Sequence, residues 1–172
     1  MLELIEKVPC AGAADDTLTL PFDLRQKSRQ RVRLDSGREA AVVLAPGTAL
    51  GDGDWLRAAD GTSVRVSAAH EPVSTVRSDD PVHLARACYH LGNRHVALQV
   101  GDGWARYRPD HVLDEMVRGL GLTVDRELAC FEPERGAYQG HSHHHHGPET
   151  ALGEESSTAE PSAGSHRHAG HR

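Results

Sequence analysis

Histidine is the residue type whose number and spacing in this sequence could bind metal ions. There are thirteen histidines, and eight of them follow Gln139 in a stretch of glycine, serine, glutamate and proline. Those eight are His141, His143, His144, His145, His146, His166, His168 and His171. Neutral imidazole binds borderline divalent ions such as nickel, copper and zinc, so this segment is interpreted as a metal-collecting device. It has almost nothing apolar to bury, and we expect it to be disordered without metal.

Two histidines of the preceding chain are further candidate ligands. His95 follows a predicted helix stop at Gly92-Asn93 and opens a predicted strand, where a side chain is rigidly placed yet reaches the surface. A lone histidine at such a junction is more often a structural residue than a ligand. His111 lies in the first turn of a second predicted helix, and the alternative for it is a plain surface histidine.

Composition limits the classes of protein to which the chain can belong. Its 172 residues allow one ordinary domain or two small ones, and an aromatic content of 4% favours small domains. A net charge of -6 argues against a nucleic-acid partner. Cys10, Cys88 and Cys130 are too widely spaced for a zinc knuckle or a disulfide framework, which favours a reduced cytoplasm. No apolar run is long enough for a membrane helix, and the N-terminus is too charged for a signal peptide.

The first half of the chain is predicted to be all β. Short apolar runs are separated by turn signals rich in glycine, aspartate and proline, which tolerate or preset the dihedral angles of tight turns. The predicted strands are residues 18–22, 30–34, 40–44, 55–58 and 63–67.

The second half alternates strands and helices. Asp80 is a candidate cap for a first helix that begins with Pro81, and Asp110 is a candidate cap for a second helix that Gly121 ends. The predicted strands are residues 73–76, 96–100, 104–108 and 122–128. The resulting order, β-α-β-β-α-β, is that of a ferredoxin-like domain. The predicted fold class is therefore α+β, with an all-β domain at 1–72, a ferredoxin-like domain at 73–138 and a disordered histidine-rich tail at 139–172.

Four stretches of the second half carry a family resemblance. They are residues 84–100, with the core Gly92-Asn93-Arg94-His95, then residues 107–113, residues 119–122, and residues 131–138 leading into the histidine tail. Together they closely resemble UreE, the family of urease accessory proteins that carry nickel. The first half resembles this family only in length and β character.

The resemblance implies a fold, a cargo and partners. The first domain would be similar to the peptide-binding domain of Hsp40-type chaperones, and the second would bind metal. Members are homodimers, in which the histidines matching His95 from the two subunits share one nickel ion. Tail histidines matching His141 and His143 can complete this shared site. The cargo would be Ni(II), for which Zn(II) and Cu(II) compete. The implied partners are the urease apoprotein and urease accessory proteins, including the accessory GTPase, with no nucleic acid and no membrane.

The sequence departs from the family at a peripheral metal site. Some relatives hold a second ion on two histidines spaced by one residue before the second helix. Here His111 matches one of them, whereas Pro109 occupies the place of the other. That site is therefore either lost or completed by tail histidines.

Two other classes of function compete with a carrier. An enzyme would need a metal with an open position and a catalytic motif, but no His-Glu-x-x-His, nucleophile elbow or phosphate-binding loop occurs. The chain is therefore predicted not to be an enzyme. The second alternative is a general histidine-rich metal buffer or a chaperone-like peptide binder. Deleting the tail separates a buffer from a carrier that also uses His95.

Overall fold

The computed structural model describes residues 1–9 and 12–135, so Cys10 and all the tail histidines lie outside the described residues. The described chain contains two β-sheets and three helices. The first sheet has the strand order β2-β6-β5-β1-β4-β3, in which β1 pairs with β4, and β2 with β6, in parallel. Its strands are β1 (Leu2–Val8), β2 (Asp16–Leu20), β3 (Arg29–Arg33), β4 (Glu39–Val43), β5 (Trp55–Ala58) and β6 (Ser63–Ala68), and a short helix, α1 (Phe22–Arg25), follows β2.

Apolar and polar residues alternate along the strands of the first sheet, and this alternation explains how the sheet buries one face. In β6, Val64 and Val66 are fully buried while Arg65 between them is exposed. In β1, Leu2 and Leu4 are buried and Glu3 is exposed. Successive side chains of a strand point to opposite faces, so each strand contributes every second residue to one core.

The second sheet is antiparallel at every pairing and has the strand order β10-β7-β9-β8. Its strands are β7 (His70–Arg77), β8 (Leu98–Gly101), β9 (Trp104–Tyr107) and β10 (Val124–Cys130), with α2 (Pro81–Gly92) after β7 and α3 (His111–Gly119) after β9. Apolar residues of both helices pack on one core with the sheet. They include Leu84, Ala87, Leu91, Leu113 and Val117 from the helices and Val76, Ala105 and Tyr107 from the strands.

Both predicted helix caps are observed. The Asp80 carboxylate accepts a hydrogen bond from the Val82 N–H at 2.9 Å, and Pro81 is the first helical residue. The Asp110 carboxylate accepts from the N–H groups of Val112 and Leu113, at 2.8 and 3.1 Å. These bonds satisfy N–H groups that have no partner inside the helix.

The structure corrects several predicted boundaries. The strand predicted at 18–22 ends at Leu20, because Phe22 begins α1 after Pro21. Strand β1 was not predicted, since its first residues were interpreted only as too charged for a signal peptide. Strand β7 begins at His70, three residues earlier than predicted. The strands predicted at 96–100 and 122–128 begin two residues later, at Leu98 and Val124.

Among the described residues, no helix is both long enough and apolar enough to cross a membrane.

Candidate metal centre

His95 lies in a tight turn at the end of α2. Its N–H donates to the Gly92 carbonyl at 2.9 Å, and the N–H of Arg94 donates to the Leu91 carbonyl at 3.0 Å. These two bonds give the chain a further helical turn after α2, and His95 then takes a left-handed conformation with φ of 55°. No other non-glycine residue in the described part of the chain has a positive φ. Such a conformation costs a residue with a Cβ about 1–2 kcal/mol.

The residues on either side of His95 are held by the core. Leu91 is fully buried four residues before it, and Val96 directly after it packs partly buried against the same core. His95 itself is exposed. Strained backbone persists only where the surroundings determine it, and it concentrates at functional sites. The turn therefore presents one imidazole to solvent at a fixed position.

His95 has too few neighbouring ligands to hold an ion alone. Among the described residues, no three His, Cys, Asp or Glu side chains lie together in a group that could bind a metal. One imidazole is not sufficient for a nickel or zinc site, which needs several donor atoms. A complete site at His95 therefore needs ligands from a second chain or from residues outside the described part.

His111 is the first residue of α3 and is also exposed. In the segment before it, the exposed Arg108 guanidinium pairs with Asp23 at 2.9 Å, and Asp110 caps the helix. Pro109 occupies the place of the second peripheral ligand and has no donor atom in its side chain. The described residues bring no set of further ligands to His111.

A network of hydrogen bonds and an ion pair around the buried Asp114 links α3 to the second sheet. The Asp114 carboxylate accepts from the Tyr107 hydroxyl at 3.0 Å and from the Arg126 guanidinium at 2.8 and 3.1 Å. Burial raises the pKa of the Asp114 carboxyl, but the Arg126 and Tyr107 hydrogen bonds outweigh it and hold that pKa below its usual value. Burial, followed by the bond to Asp114, raises the pKa of the Tyr107 phenol. Helix α3 is thus rigidly placed.

The cysteines in the described part are poor candidates for ligands. Cys88 and Cys130 are free thiols, and both are half-buried. Burial raises the pKa of the Cys88 thiol, so that it stays protonated at neutral pH, whereas a metal ligand must be a thiolate. Cys130 donates its S–H to the Ala68 carbonyl at 3.3 Å. Imidazole therefore remains the main candidate ligand type in the described part of the chain.

Two other histidines of α2 have structural contacts. The His83 Nε2 lies 2.6 Å from the Leu120 carbonyl and so links α2 to the end of α3. The His90 ring meets the Tyr89 ring edge to face, with centroids 5.4 Å apart.

An apolar surface on α2 and β8 was not predicted from the sequence. Val82 and Tyr89 of α2 and Val100 of β8 are 65%, 66% and 45% exposed. A groove of about 830 Å³ lies between α2 and the β8–β9 turn, lined partly by Leu84, Cys88 and Val100. The available signal was that Val82 and Tyr89 lie outside the spacing of the buried stripe Leu84, Ala87 and Leu91. Apolar surfaces of this kind are typical of contact sites.

The eight predicted tail ligands lie outside the described residues. The expected disorder of the tail concerns the same residues and stays a prediction. By sequence, His141 is the sixth residue after Arg135, with which the described chain ends.

Comparison with known proteins covers nearly the whole chain. Residues 3–69 match the family described as "UreE urease accessory protein, N-terminal domain", and residues 71–171 match its C-terminal domain. A urease accessory protein UreE of Alkalilimnicola ehrlichii is 65% identical over 140 residues, which are 81% of this chain and 86% of that protein. A UreE protein of Pseudomonas putida is 55% identical over 84% of this chain and 90% of that protein. A UreE protein of Proteus mirabilis is 57% identical over 72% of this chain and 77% of that protein.

Proposed function

The chain belongs to the UreE family of urease accessory proteins, which are not enzymes, and on this premise we propose that it carries Ni(II) to apo-urease during assembly of the urease metal centre. The observation that carries this proposal is the His95 turn. The exposed imidazole on this strained backbone, between the buried Leu91 and the partly buried Val96, serves no packing purpose, and an open metal site explains its geometry. Nickel is here the cargo, and Zn(II) and Cu(II) compete for the same imidazoles.

The proposed tight site is shared between two copies of the chain. At a two-fold interface a residue can meet its own copy, so two exposed His95 side chains can bind one ion. The exposed Val82, Tyr89 and Val100 support an interface on the face of the second sheet that carries α2. The absence of a sufficient ligand set among the described residues also agrees with a site completed by a partner.

The tail supplies the remaining ligands in this proposal. His141 and His143 complete the shared site, and His144, His145, His146, His166, His168 and His171 collect further ions. A carrier has to release its ion, and a site with few fixed ligands and several exchangeable ones is better suited to release than a closed cage. His111 is a proposed peripheral ligand that also needs a tail histidine, because Pro109 cannot bind metal.

The finer architecture belongs to the same proposal. We class residues 73–138 as ferredoxin-like, which the β-α-β-β-α-β order and the antiparallel strand order β10-β7-β9-β8 support. Residues 1–72 would be a peptide-binding-like domain, and residues 139–172 a disordered metal-binding tail. The expected setting is the cytoplasm, with the urease apoprotein and the accessory GTPase as partners.

A general divalent-metal buffer is the second candidate function, and the number of tail histidines favours it. A buffer would lose its purpose when the tail is deleted. A carrier would keep a reduced function through His95.

Nickel titration of the purified dimer tests the proposal. We expect one tight ion per dimer and several weaker ones. Truncation after Tyr138 should remove the weaker ions and weaken, without abolishing, the tight one, because His95 remains. His95→Asn should remove the tight ion, whereas the control His70→Asn, at another exposed histidine, should not. A tight site that survives His95→Asn would exclude this residue, and a monomer that binds nickel as tightly would exclude the shared site.

A further inference from the structure

The segment that follows β10 crosses the second sheet from one edge to the other. Strands β10 and β8 are the two edges of this sheet. Nevertheless the N–H of Glu132 donates to the Gln99 side-chain carbonyl at 3.0 Å, and the N–H of Glu134 donates to the Leu98 carbonyl at 2.8 Å. Three strand spacings amount to about 14 Å. Residues 131–134 therefore bring the chain to the edge strand that begins three residues after His95.

A buried arginine of the first domain holds this crossing segment. Arg25 is only 1% exposed, and its guanidinium donates to the Phe131 carbonyl at 2.6 Å and pairs with the Glu132 carboxylate. The same guanidinium donates to the carbonyls of Leu20 and Leu50, at 3.1 and 3.3 Å. All three guanidinium nitrogens thus donate, and two of the four partners belong to the crossing segment. A buried charge is stable only when paired and hydrogen-bonded in this way.

Aromatic packing and a glycine reinforce the same contact. The Phe131 ring is fully buried and meets the Phe22 ring edge to face, with centroids 5.4 Å apart. A Cβ added to Gly51 would lie 3.0 Å from an Arg135 guanidinium nitrogen. The segment therefore lies against the first domain from Phe131 to its last described residue.

We propose that Arg25 and Glu132 are positioning residues for nickel binding: they fix the point from which the histidine tail begins, on the edge of the sheet nearest to His95. This inference rests on the proposed function, because it concerns the joint use of His95 and the tail. From Glu134 to His141 there are seven residues. With the segment released, the last fixed residue is Cys130 of β10, eleven residues before His141 and on the opposite edge.

The size of the effect follows from the effective concentration of the tail at His95. It falls with roughly the −3/2 power of linker length, so lengthening the linker from seven to eleven residues lowers it about twofold. The displacement to the far edge adds to this loss. We expect the tight nickel site to weaken about twofold to fivefold when the segment is released.

The variants that release the segment are Glu132→Ala, which removes the partner of Arg25, and Gln99→Ala, which removes the acceptor of the Glu132 N–H without disturbing the buried charge. The matched control is Glu134→Ala. It removes the same charge two residues further on, and its carboxylate makes no ion pair among the described residues. Each variant is made in the full chain and in a chain truncated after Tyr138.

Two measurements then separate this inference from the proposed function. Amide hydrogen exchange without metal should show the Glu134 N–H protected in the unaltered chain and in Glu134→Ala, but exchanging faster in both release variants. Nickel titration should show a lower affinity of the tight site in those two variants, in the full chain only. An equal loss in the truncated chain, the same loss in Glu134→Ala, or no loss with a released segment would each overturn the positioning role. If the segment is released as described but the unaltered chain binds no nickel, the proposed function fails instead.

Discussion

At the scale of single residues, the backbone of His95 carries the most information. A positive φ is tolerated by glycine at little cost and is uncommon in other residues, among which asparagine, aspartate and histidine adopt it most often. The sequence predicted the exposed junction and the candidate ligand. It could not predict the left-handed conformation, because Gly92 and Asn93 before it offered better residues for that role and both remain helical or near-helical.

The first prediction concerns a variant that loses the His95 imidazole and keeps the backbone conformation. His95→Asn should abolish tight nickel binding and leave circular dichroism and the dimer unchanged, because asparagine tolerates the left-handed region and the side chain is exposed. Calorimetric titration and sedimentation would measure both properties. Retained tight binding would contradict the assignment of this ligand.

The second prediction concerns stability at the same position. His95→Gly should keep the free energy of unfolding or raise it by up to about 1 kcal/mol, because glycine pays no Cβ penalty at φ of 55°. Urea denaturation would measure it, with His111→Gly as the control, which should be destabilised because His111 is in the first turn of a helix. A large destabilisation by His95→Gly would mean that the side chain serves the fold.

At the scale of elements, local patterns predicted the second domain well and the first less well. The caps Asp80 and Asp110 and the apolar spacing of α2 are local signals, and the corresponding helices are observed. Strand β1 alternates from Leu2 to Ile5, so that Ile5 lies on the outer face and is 47% exposed. A shift of register between Leu4 and Glu6 then interrupts the alternation. Helix α1 has only four residues, too few for any periodicity.

The crossing segment shows why the rest of the site was not predictable. Arg25 and Glu132 are separated by 107 residues, and neither has a local motif. An arginine in a short polar stretch is usually exposed. Only the assembled fold shows that four acceptors surround it.

The third prediction concerns the cap of α3. Asp110→Ala should lower the free energy of unfolding by about 1 kcal/mol, because two helix N–H groups lose their acceptor. Asp79→Ala is the control, since Asp79 is exposed and makes no hydrogen bond among the described residues. Urea denaturation of both variants would measure the difference, and equal stabilities would contradict the role of the cap.

At the scale of the whole molecule, the proposed metal binding and the folding depend on different titrating groups. Free imidazole has a pKa of about 6.5 and ligates only when neutral. The carboxylates that stabilise the fold titrate lower. Hydrogen bonds from Arg126 and Tyr107 outweigh the burial of Asp114 and lower its pKa, and the Thr75 hydroxyl, followed by Arg77, lowers the pKa of Glu127.

The fourth prediction follows from the sign of these shifts. A carboxylate whose pKa is lower in the folded state stabilises the fold above its unfolded value, and this stability is lost as pH falls through the folded value. Nickel should therefore leave between about pH 7.5 and 5.5, with the secondary structure intact until below about pH 4. Bound nickel and circular dichroism, followed together, would measure the order. Nickel retained at pH 5.5 would mean that histidines are not the main ligands.

The central claim is that His95 makes this chain a nickel carrier for urease, and urease activation in cells at limiting nickel tests it most directly. Cells that make urease but lack this protein would receive the unaltered chain, His95→Asn or the control His70→Asn. We expect the unaltered chain and the control to restore urease activity, and His95→Asn to restore little of it unless excess nickel is supplied. Full activation by His95→Asn at limiting nickel would contradict the claim.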